Sequence, residues 1–152
     1  MDVFVVSLFG HREIDDWRRL EGRLAPIIRD LLGKGRFTSF LIGRHGEFDE
    51  QAASIIKRIQ KEVGAENSEI VLVLPYAVAD VVYYEAYYDG ILLPEALYGA
   101  HPKNAISAKN KWMIEQSDLV LTYVTHPSGG ACQAMKYAKR LGKKTINLPE
   151  EG

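Results

Sequence analysis

The chain has 152 residues, 47% hydrophobic and 26% charged, a length typical of one domain that buries a core without disulfides. Its 19 basic and 20 acidic side chains leave a net charge of −1, so we expect no general nucleic-acid binding, which depends on neutralising phosphates. Cys132 is the only cysteine and the four histidines are scattered, so we expect neither an internal disulfide nor a metal site.

Apolar runs alternate with helical patterns along the first half of the chain. The run 3–8 predicts a strand covered on both faces, and apolar residues at helical spacing predict a helix from about Asp15 to Leu31. Pro26 lies inside that helix, so we expect a bend there or a new helical segment beginning near it. A strand over 37–42, a helix over 49–63 and a strand over 70–75 follow.

The pattern blurs between Tyr76 and Ala105 and becomes regular again beyond it. We predict a short helix over 77–88, a short strand over 91–93 and irregular chain over 95–103. Helices over 106–116 and 130–141 and strands over 119–124 and 145–148 complete the pattern. This alternation predicts an α/β fold, a doubly wound, mostly parallel sheet of about five strands with helices on both faces. One such domain would account for residues 1–152.

The start of the chain lacks the basic residues and the long apolar segment of a signal peptide. No apolar run approaches the roughly 20 residues that a membrane-spanning helix needs. We therefore expect a cytoplasmic protein without a membrane partner.

Two glycine-containing loops follow predicted strands and lead into predicted helices. In open parallel sheets, ligands bind beyond the carboxyl ends of the strands, where the strand order reverses. If the first strand is central, both loops meet in that crevice. We therefore predict a ligand site that contains Gly10, His11, Arg12, Ser128, Gly129 and Gly130.

The loop Ser128–Gly130 has the stronger physical argument for an anion site. Free amide groups and the dipole of the following helix favour an anion, and Arg12 can add a bidentate contact to phosphate. A tight turn with a capping serine is the alternative for such a Gly-Gly sequence. For Arg12 the alternative is a surface ion pair with a neighbouring carboxylate, and for His11 a hydrogen bond to the backbone.

The loop after the second strand opens onto the same predicted edge of the sheet. Gly43 and Gly46 would allow close approach of a ligand, and Glu47 or Asp49 could bind a ribose hydroxyl. N-cap preference favours helix capping as the role of Asp49. Asn110 is the polar residue of a later helix that we add to the predicted site.

Six of the eight tyrosines fall between Tyr76 and Tyr98. A stacking wall for a base, a subunit interface and packing onto the sheet are all consistent with this cluster. One functional hypothesis is therefore a scaffold protein that dimerises through 83–98, and a homo-oligomer is among the expectations.

Six short segments carry a family resemblance. They are 9–12, 43–49, 73–76, 110–113, 117–120 and 128–131, which span nearly the whole chain in order. These segments resemble the SLOG superfamily, which includes the DprA/Smf DNA-processing proteins and the LOG phosphoribohydrolases. They look most like small bacterial and phage members with an N-terminal Phe-Gly-His-Arg motif. The resemblance implies a Rossmann-like fold that binds a nucleotide or nucleotide-derived ligand at the carboxyl edge of the sheet, in nucleotide signalling or in stress and phage-conflict systems.

The chain departs from the LOG enzymes at their catalytic motif, Pro-Gly-Gly-x-Gly-Thr-x-x-Glu. Here Gly129-Gly130 is followed by residues 131–136, which lack the further glycine, the threonine and the glutamate. We therefore favour a binding module over an enzyme and expect no cofactor. The alternative is an N-glycosidic hydrolase of nucleoside monophosphates, assisted by Glu47 or Asp49.

Overall fold

A six-stranded parallel β-sheet is the central layer of the computed structural model, which describes residues 2–150. The strands are β1 (Val3–Gly10), β2 (Phe37–Ile42), β3 (Ser68–Val73), β4 (Gly90–Leu92), β5 (Leu119–Tyr123) and β6 (Lys144–Asn147). The helices are α1 (Trp17–Leu32), α2 (Glu47–Val63), α3 (Val81–Glu85), α4 (Pro102–Glu115) and α5 (Gly130–Arg140). The predicted α/β fold is confirmed, with six strands where about five were expected. The short strand predicted over 91–93 is β4, which pairs with β3 at the edge.

Helices cover both faces of the sheet and create two hydrophobic cores. On one face α1 and α2 bury Leu24 and Ile56, and on the other α4 and α5 pack around Met113. Leu8 and Phe9, consecutive in β1, belong to opposite cores. Both faces of this strand are buried because successive side chains of a strand point to opposite sides.

Strand β1 is central, as the strand order β4-β3-β2-β1-β5-β6 shows. The chain moves outward from β1 to β4, and then returns through α4 to β5 on the other side of β1. The strand order therefore reverses between β1 and β5, the position at which open α/β sheets bind ligands. Gly10 pairs with Tyr123, so the loops that follow these two strands leave the sheet side by side.

Helix α1 is continuous although Pro26 lies inside it. No new helical segment begins at Pro26, so that alternative is wrong, and a bend at Pro26 stays a prediction. Asp16 is the N-cap of the helix, and its carboxylate accepts the N–H of Arg19 at 3.0 Å. Burial of one face, including Leu24 and Ile28, stabilises the helix and outweighs the single hydrogen bond that proline removes.

Helix α4 begins at Pro102, inside the stretch that was expected to be irregular. His101 Nδ1 accepts the N–H of Lys103 at 3.1 Å, and proline is well suited to the first helical turn because its missing N–H needs no partner there. The longer helix carries Lys109 and Asn110 past the carboxyl ends of the central strands. Among the helices of residues 2–150, none has both the length and the hydrophobicity to span a membrane.

Candidate functional site

A crevice of about 390 Å³ lies at the carboxyl ends of β1 and β2, beside α4 and the start of α5. Most of the predicted site residues line it, namely Gly10, His11, Arg12, Gly43, Asp49, Asn110, Gly129 and Gly130. Gly46, Glu47 and Ser128 are not among the lining residues. The structure therefore brings the three predicted loops together, and their contact with a ligand stays a prediction.

Gly46 and Glu47 join two loops instead of lining the crevice. Gly46 has φ of +140°, and a Cβ on it would lie 2.6 Å from Cα of Arg12. Glu47 Oε2 accepts the N–H of Ile14 at 2.9 Å, and the N–H of Glu47 donates to the carbonyl of Arg12 at 2.8 Å. These contacts hold the loop after β1 against the start of α2, so both residues position the site from outside it.

Ser128 hydrogen-bonds His126, with 3.1 Å between Oγ and Nδ1, and does not cap α5. The His126 ring stacks on His11 with centroids 3.6 Å apart. His11 Nε2 accepts the N–H of Thr125 at 2.9 Å, which is the backbone hydrogen bond considered as its alternative role. Burial, with a smaller effect of His126, lowers the pKa of His11, so its ring is neutral at pH 7. Within residues 2–150, no three His, Cys, Asp or Glu side chains are grouped to hold a metal ion.

Helix α5 presents an uncapped N-terminus to the crevice. Its N-cap is Gly129, at φ of +93°, and no side chain of the described residues caps it. The N–H of Gln133 donates to the carbonyl of Gly129, so the amides of Gly130, Ala131 and Cys132 have no acceptor within the helix. Gly130 and Ala131 line the crevice. An anion there would accept from these amides and be favoured by the helix dipole.

Arg12 lines the same crevice with an exposed side chain. No ion pair joins its guanidinium to a carboxylate within the part of the chain that is described. The alternative of a surface ion pair is therefore not seen. Arg12 remains free to contact an anionic ligand.

Sequence reasoning missed Lys109 and His45, which join Gly43 and Asp49 in what we call the polar cluster of the crevice. Lys109 is only 4% exposed, and its ammonium makes no hydrogen bond or ion pair among residues 2–150. It lies four residues after Ala105 and four before Met113, on the buried face of α4. That spacing was the one sequence signal that could have identified Lys109 as buried.

The polar cluster perturbs the acidity of its members. Burial raises the pKa of Asp49 to about 6, although Lys109 and the N–H of His45, which donates to Oδ2 at 2.9 Å, oppose this rise. Burial lowers the pKa of Lys109. Burial and the nearby cations Lys109, Arg44 and Arg12 lower the pKa of His45 to about 4. At pH 7, His45 is therefore neutral and Asp49 is mostly ionised.

The tyrosine cluster lies away from the crevice, and none of its rings is among the lining residues that are described. Tyr88 packs against the core of α1 and α2, and the Tyr84 hydroxyl accepts from Arg44 at 3.4 Å. Tyr83 and Tyr98 are 76% and 64% exposed. The segment therefore combines packing with an exposed surface, and its use as a subunit interface stays a prediction.

The strand order and the crevice at the strand reversal define a Rossmann-like α/β protein. DNA processing protein A from Helicobacter pylori has a similar structure, with a TM-score of 0.66 and 16% identity over 97% of this chain and 66% of that chain. Two structures of the molybdenum cofactor carrier protein from Chlamydomonas reinhardtii have TM-scores of 0.61 and 0.58. Each is 14% identical over 99% of this chain, and the matches cover 79% and 78% of those chains.

No protein-family model matches the sequence, and no curated protein matches it either. The likeness to DNA processing protein A, at 16% identity, confirms the Rossmann-like fold that the resemblance implies, and membership of the SLOG superfamily stays a prediction. This chain spans less than two thirds of the length of DNA processing protein A, at 66%.

We expected no general nucleic-acid binding because the net charge is near zero. That expectation is wrong. DNA processing protein A, a structure of the same fold, has a single-stranded DNA binding mode. Phosphate binding depends on where cations and amide donors are placed, so a total charge near zero does not exclude it. In this chain Arg12, Lys109 and the start of α5 all line one crevice.

Proposed function

We propose that this protein binds a nucleotide or nucleotide-derived small molecule in the crevice, with a phosphate at the N-terminus of α5. The observation that carries the proposal is the uncapped start of α5, which faces a crevice at the strand reversal. A Cβ on Gly130 would meet only Asn110 Nδ2, at 4.0 Å, so a phosphate can approach the backbone closely. Arg12 supplies a positive charge on the same crevice.

The size of the crevice supports a ligand of mononucleotide size. Its volume of about 390 Å³ lies near the lower end of the range for small-molecule sites, roughly 300–1,000 Å³. The lining also includes apolar surface from Leu8, Phe9 and Ile106, which suits a base or a sugar face.

Replacing Arg12 by alanine is expected to weaken the binding of nucleoside monophosphates by about 1.5–3 kcal/mol, the contribution of a hydrogen bond to a charged group. Isothermal titration with AMP, GMP, CMP and UMP would measure this loss. Arg18→Ala is the matched control, because Arg18 is exposed on α1 and does not line the crevice. Adenosine, which lacks the phosphate, is expected to bind more weakly than AMP.

Two results would count against this proposal in different ways. Equal affinities of the Arg12→Ala variant and the unmodified protein would remove Arg12 from the site. Failure of all four nucleotides to bind the unmodified protein would refute nucleotide binding itself.

Single-stranded DNA carries the same phosphate groups as a free nucleotide. A competition experiment shows whether a DNA strand and a nucleotide bind at the same place. A fluorescent oligothymidylate would be added to the protein, followed by AMP. Displacement of the oligonucleotide by AMP would locate the strand in the crevice. Simultaneous binding would locate the strand on another surface.

A second candidate function is N-glycosidic hydrolysis, and Asp49 is the residue that favours it. Asp49 lines the crevice and its pKa is raised to about 6, within reach of acid–base chemistry near neutral pH. The carboxylate of Glu47 already accepts a hydrogen bond from the N–H of Ile14, so Asp49 is the better candidate. Release of adenine from AMP that is abolished in Asp49→Asn would support this function, and no release of base from the four nucleotides would contradict it.

A further inference from the structure

We propose that Lys109 and Asp49 together recognise a sugar hydroxyl of the ligand, so that the crevice selects ribose phosphates over deoxyribose phosphates. The inference rests on the proposed function and specifies the sugar of the ligand. It assigns a hydrogen-bond partner to Lys109, whose ammonium interacts electrostatically with Asp49 but makes no hydrogen bond among the described residues.

The geometry leaves a gap between the two charged groups. Lys109 Nζ lies 2.7 Å, and Asp49 Oδ2 3.2 Å, from the position that a Cβ on Gly43 would occupy. The two groups therefore face each other across Gly43, yet they form no ion pair within residues 2–150. An oxygen that accepts from an ammonium and donates to a carboxylate makes two contacts of about 2.7–2.9 Å. One hydroxyl group therefore suits this gap.

The free-energy cost of burying charged groups also favours a hydroxyl group between Lys109 and Asp49. A buried charge without a hydrogen-bond partner lowers stability, and an apolar residue would continue the face of Ala105 and Met113 without that penalty. A hydroxyl satisfies the ammonium as an acceptor and the carboxylate as a donor at once. A phosphate or carboxylate at this point would be repelled by Asp49, which is mostly ionised at pH 7.

The hydroxyl site lies beside the proposed phosphate site on the same helix. Asn110, the residue after Lys109, has its Nδ2 4.0 Å from the Cβ position of Gly130 at the start of α5. Adjacent residues of α4 thus reach the α5 N-terminus and the Gly43 end of the crevice. A ribose phosphate likewise carries its hydroxyl groups next to its phosphate.

Titration with AMP, GMP, CMP and UMP, and with the 2′-deoxy and 3′-deoxy forms of each, tests this inference. At least one deoxy form is expected to bind about tenfold more weakly or worse, because it leaves buried charged groups unpaired. Lys109→Met should lower the affinity for the ribonucleotide to that of the weaker deoxy form and leave the deoxy affinity within about twofold. Methionine has a similar length and continues the apolar face, so the variant is expected to fold.

A second variant moves the ammonium without removing its charge. The new Cβ of Gly43→Ala would displace the flexible end of Lys109, so the preference for ribose should also fall. Lys111→Met is the matched control, because Lys111 is exposed on α4 and does not line the crevice.

Each outcome bears on a different claim. Equal binding of ribose and deoxyribose forms by the unmodified protein overturns the hydroxyl site and leaves the proposed function standing. An equal loss of affinity for all forms in Lys109→Met also overturns it, because Lys109 would then contact the phosphate. No binding of any form overturns the proposed function and the inference together.

Discussion

Gly10, the last residue of β1, allows the first loop to pack closely on α2. A Cβ there would lie 2.1 Å from the ring of Phe48, which is fully buried. Gly10 was predicted to belong to the ligand site, and it does line the crevice. The close approach that the backbone makes, however, is to a side chain of the core. Sequence reasoning did not identify Phe48 as the neighbour that requires glycine at this position.

Replacing Gly10 by alanine is therefore expected to destabilise the protein by about 1–3 kcal/mol or more, because the Phe48 ring has no free space to move into. Urea unfolding followed by circular dichroism would measure the change. Gly22→Ala is the control, since Gly22 is in α1 and nothing lies within 4 Å of its Cβ position. That variant should gain about 0.5–1 kcal/mol. Equal stability of Gly10→Ala and the unmodified protein would contradict the packing described at Phe48.

The residue scale also shows why Lys109 was overlooked. A lysine between Ala105 and Met113 looks like an interruption of an apolar face, and charged residues are rarely buried. Its burial follows from the docking of α4 beside the ends of the central strands. Asn110, the polar residue next to it, was predicted and lines the crevice as well.

At the scale of elements, the β2–α2 connection and the first turn of α2 contain two half-buried groups with opposite pH dependence, His45 and Asp49. The pKa of Asp49 is raised from 3.8 to about 6, so its contribution to stability is present below about pH 3.8 and is lost as pH rises through 6. The pKa of His45 is lowered from 6.5 to about 4, so its contribution is present above about pH 6.5 and is lost as pH falls through 4. In the unmodified protein the two slopes largely cancel between pH 4 and 6.5.

Single substitutions should reveal these slopes. Relative to the unmodified protein, Asp49→Asn is expected to gain stability as pH rises from 4 to 6, and His45→Gln to lose it from pH 4 to 6.5. Each change should be on the order of 2–3 kcal/mol at most. Urea unfolding at half-unit pH steps would measure both differences. From pH 7 to 8 they should be constant, and parallel curves for all three proteins from pH 4 to 6.5 would disprove the assignment.

The elements themselves were predicted best where a strong local pattern exists. Helix α5 and strand β2 match their predicted bounds closely, because apolar spacing and flanking glycines are local signals. Helix α4 starts earlier than predicted, since its start depends on capping by His101 rather than on apolar spacing. The short β4 overlaps the strand predicted over 91–93, and only its pairing with β3 shows that it lies at the edge of the sheet.

At the scale of the whole molecule, the two cores share one sheet, and we predict that residues 1–152 unfold as one domain. Ile56 in α2 and Met113 in α4 are fully buried on opposite faces of that sheet. Ile56→Ala and Met113→Ala should each cost about 2–5 kcal/mol and shift the same transition. Scanning calorimetry should give one peak whose calorimetric and van't Hoff enthalpies agree. Two transitions, each sensitive to only one of the substitutions, would contradict a single domain.

The sequence by itself determined the α/β class, the parallel sheet, and the loops that line the crevice. It did so because the spacing of apolar residues, the glycines in turns and the alternation of polar and apolar faces along helices are properties of a few consecutive residues. Only the tertiary structure decided that Glu47 and Ser128 bond within the protein, and that Lys109 and Asp49 face each other across Gly43. Burial and distance between residues remote in the chain depend on how helices dock on the sheet, which no local pattern encodes.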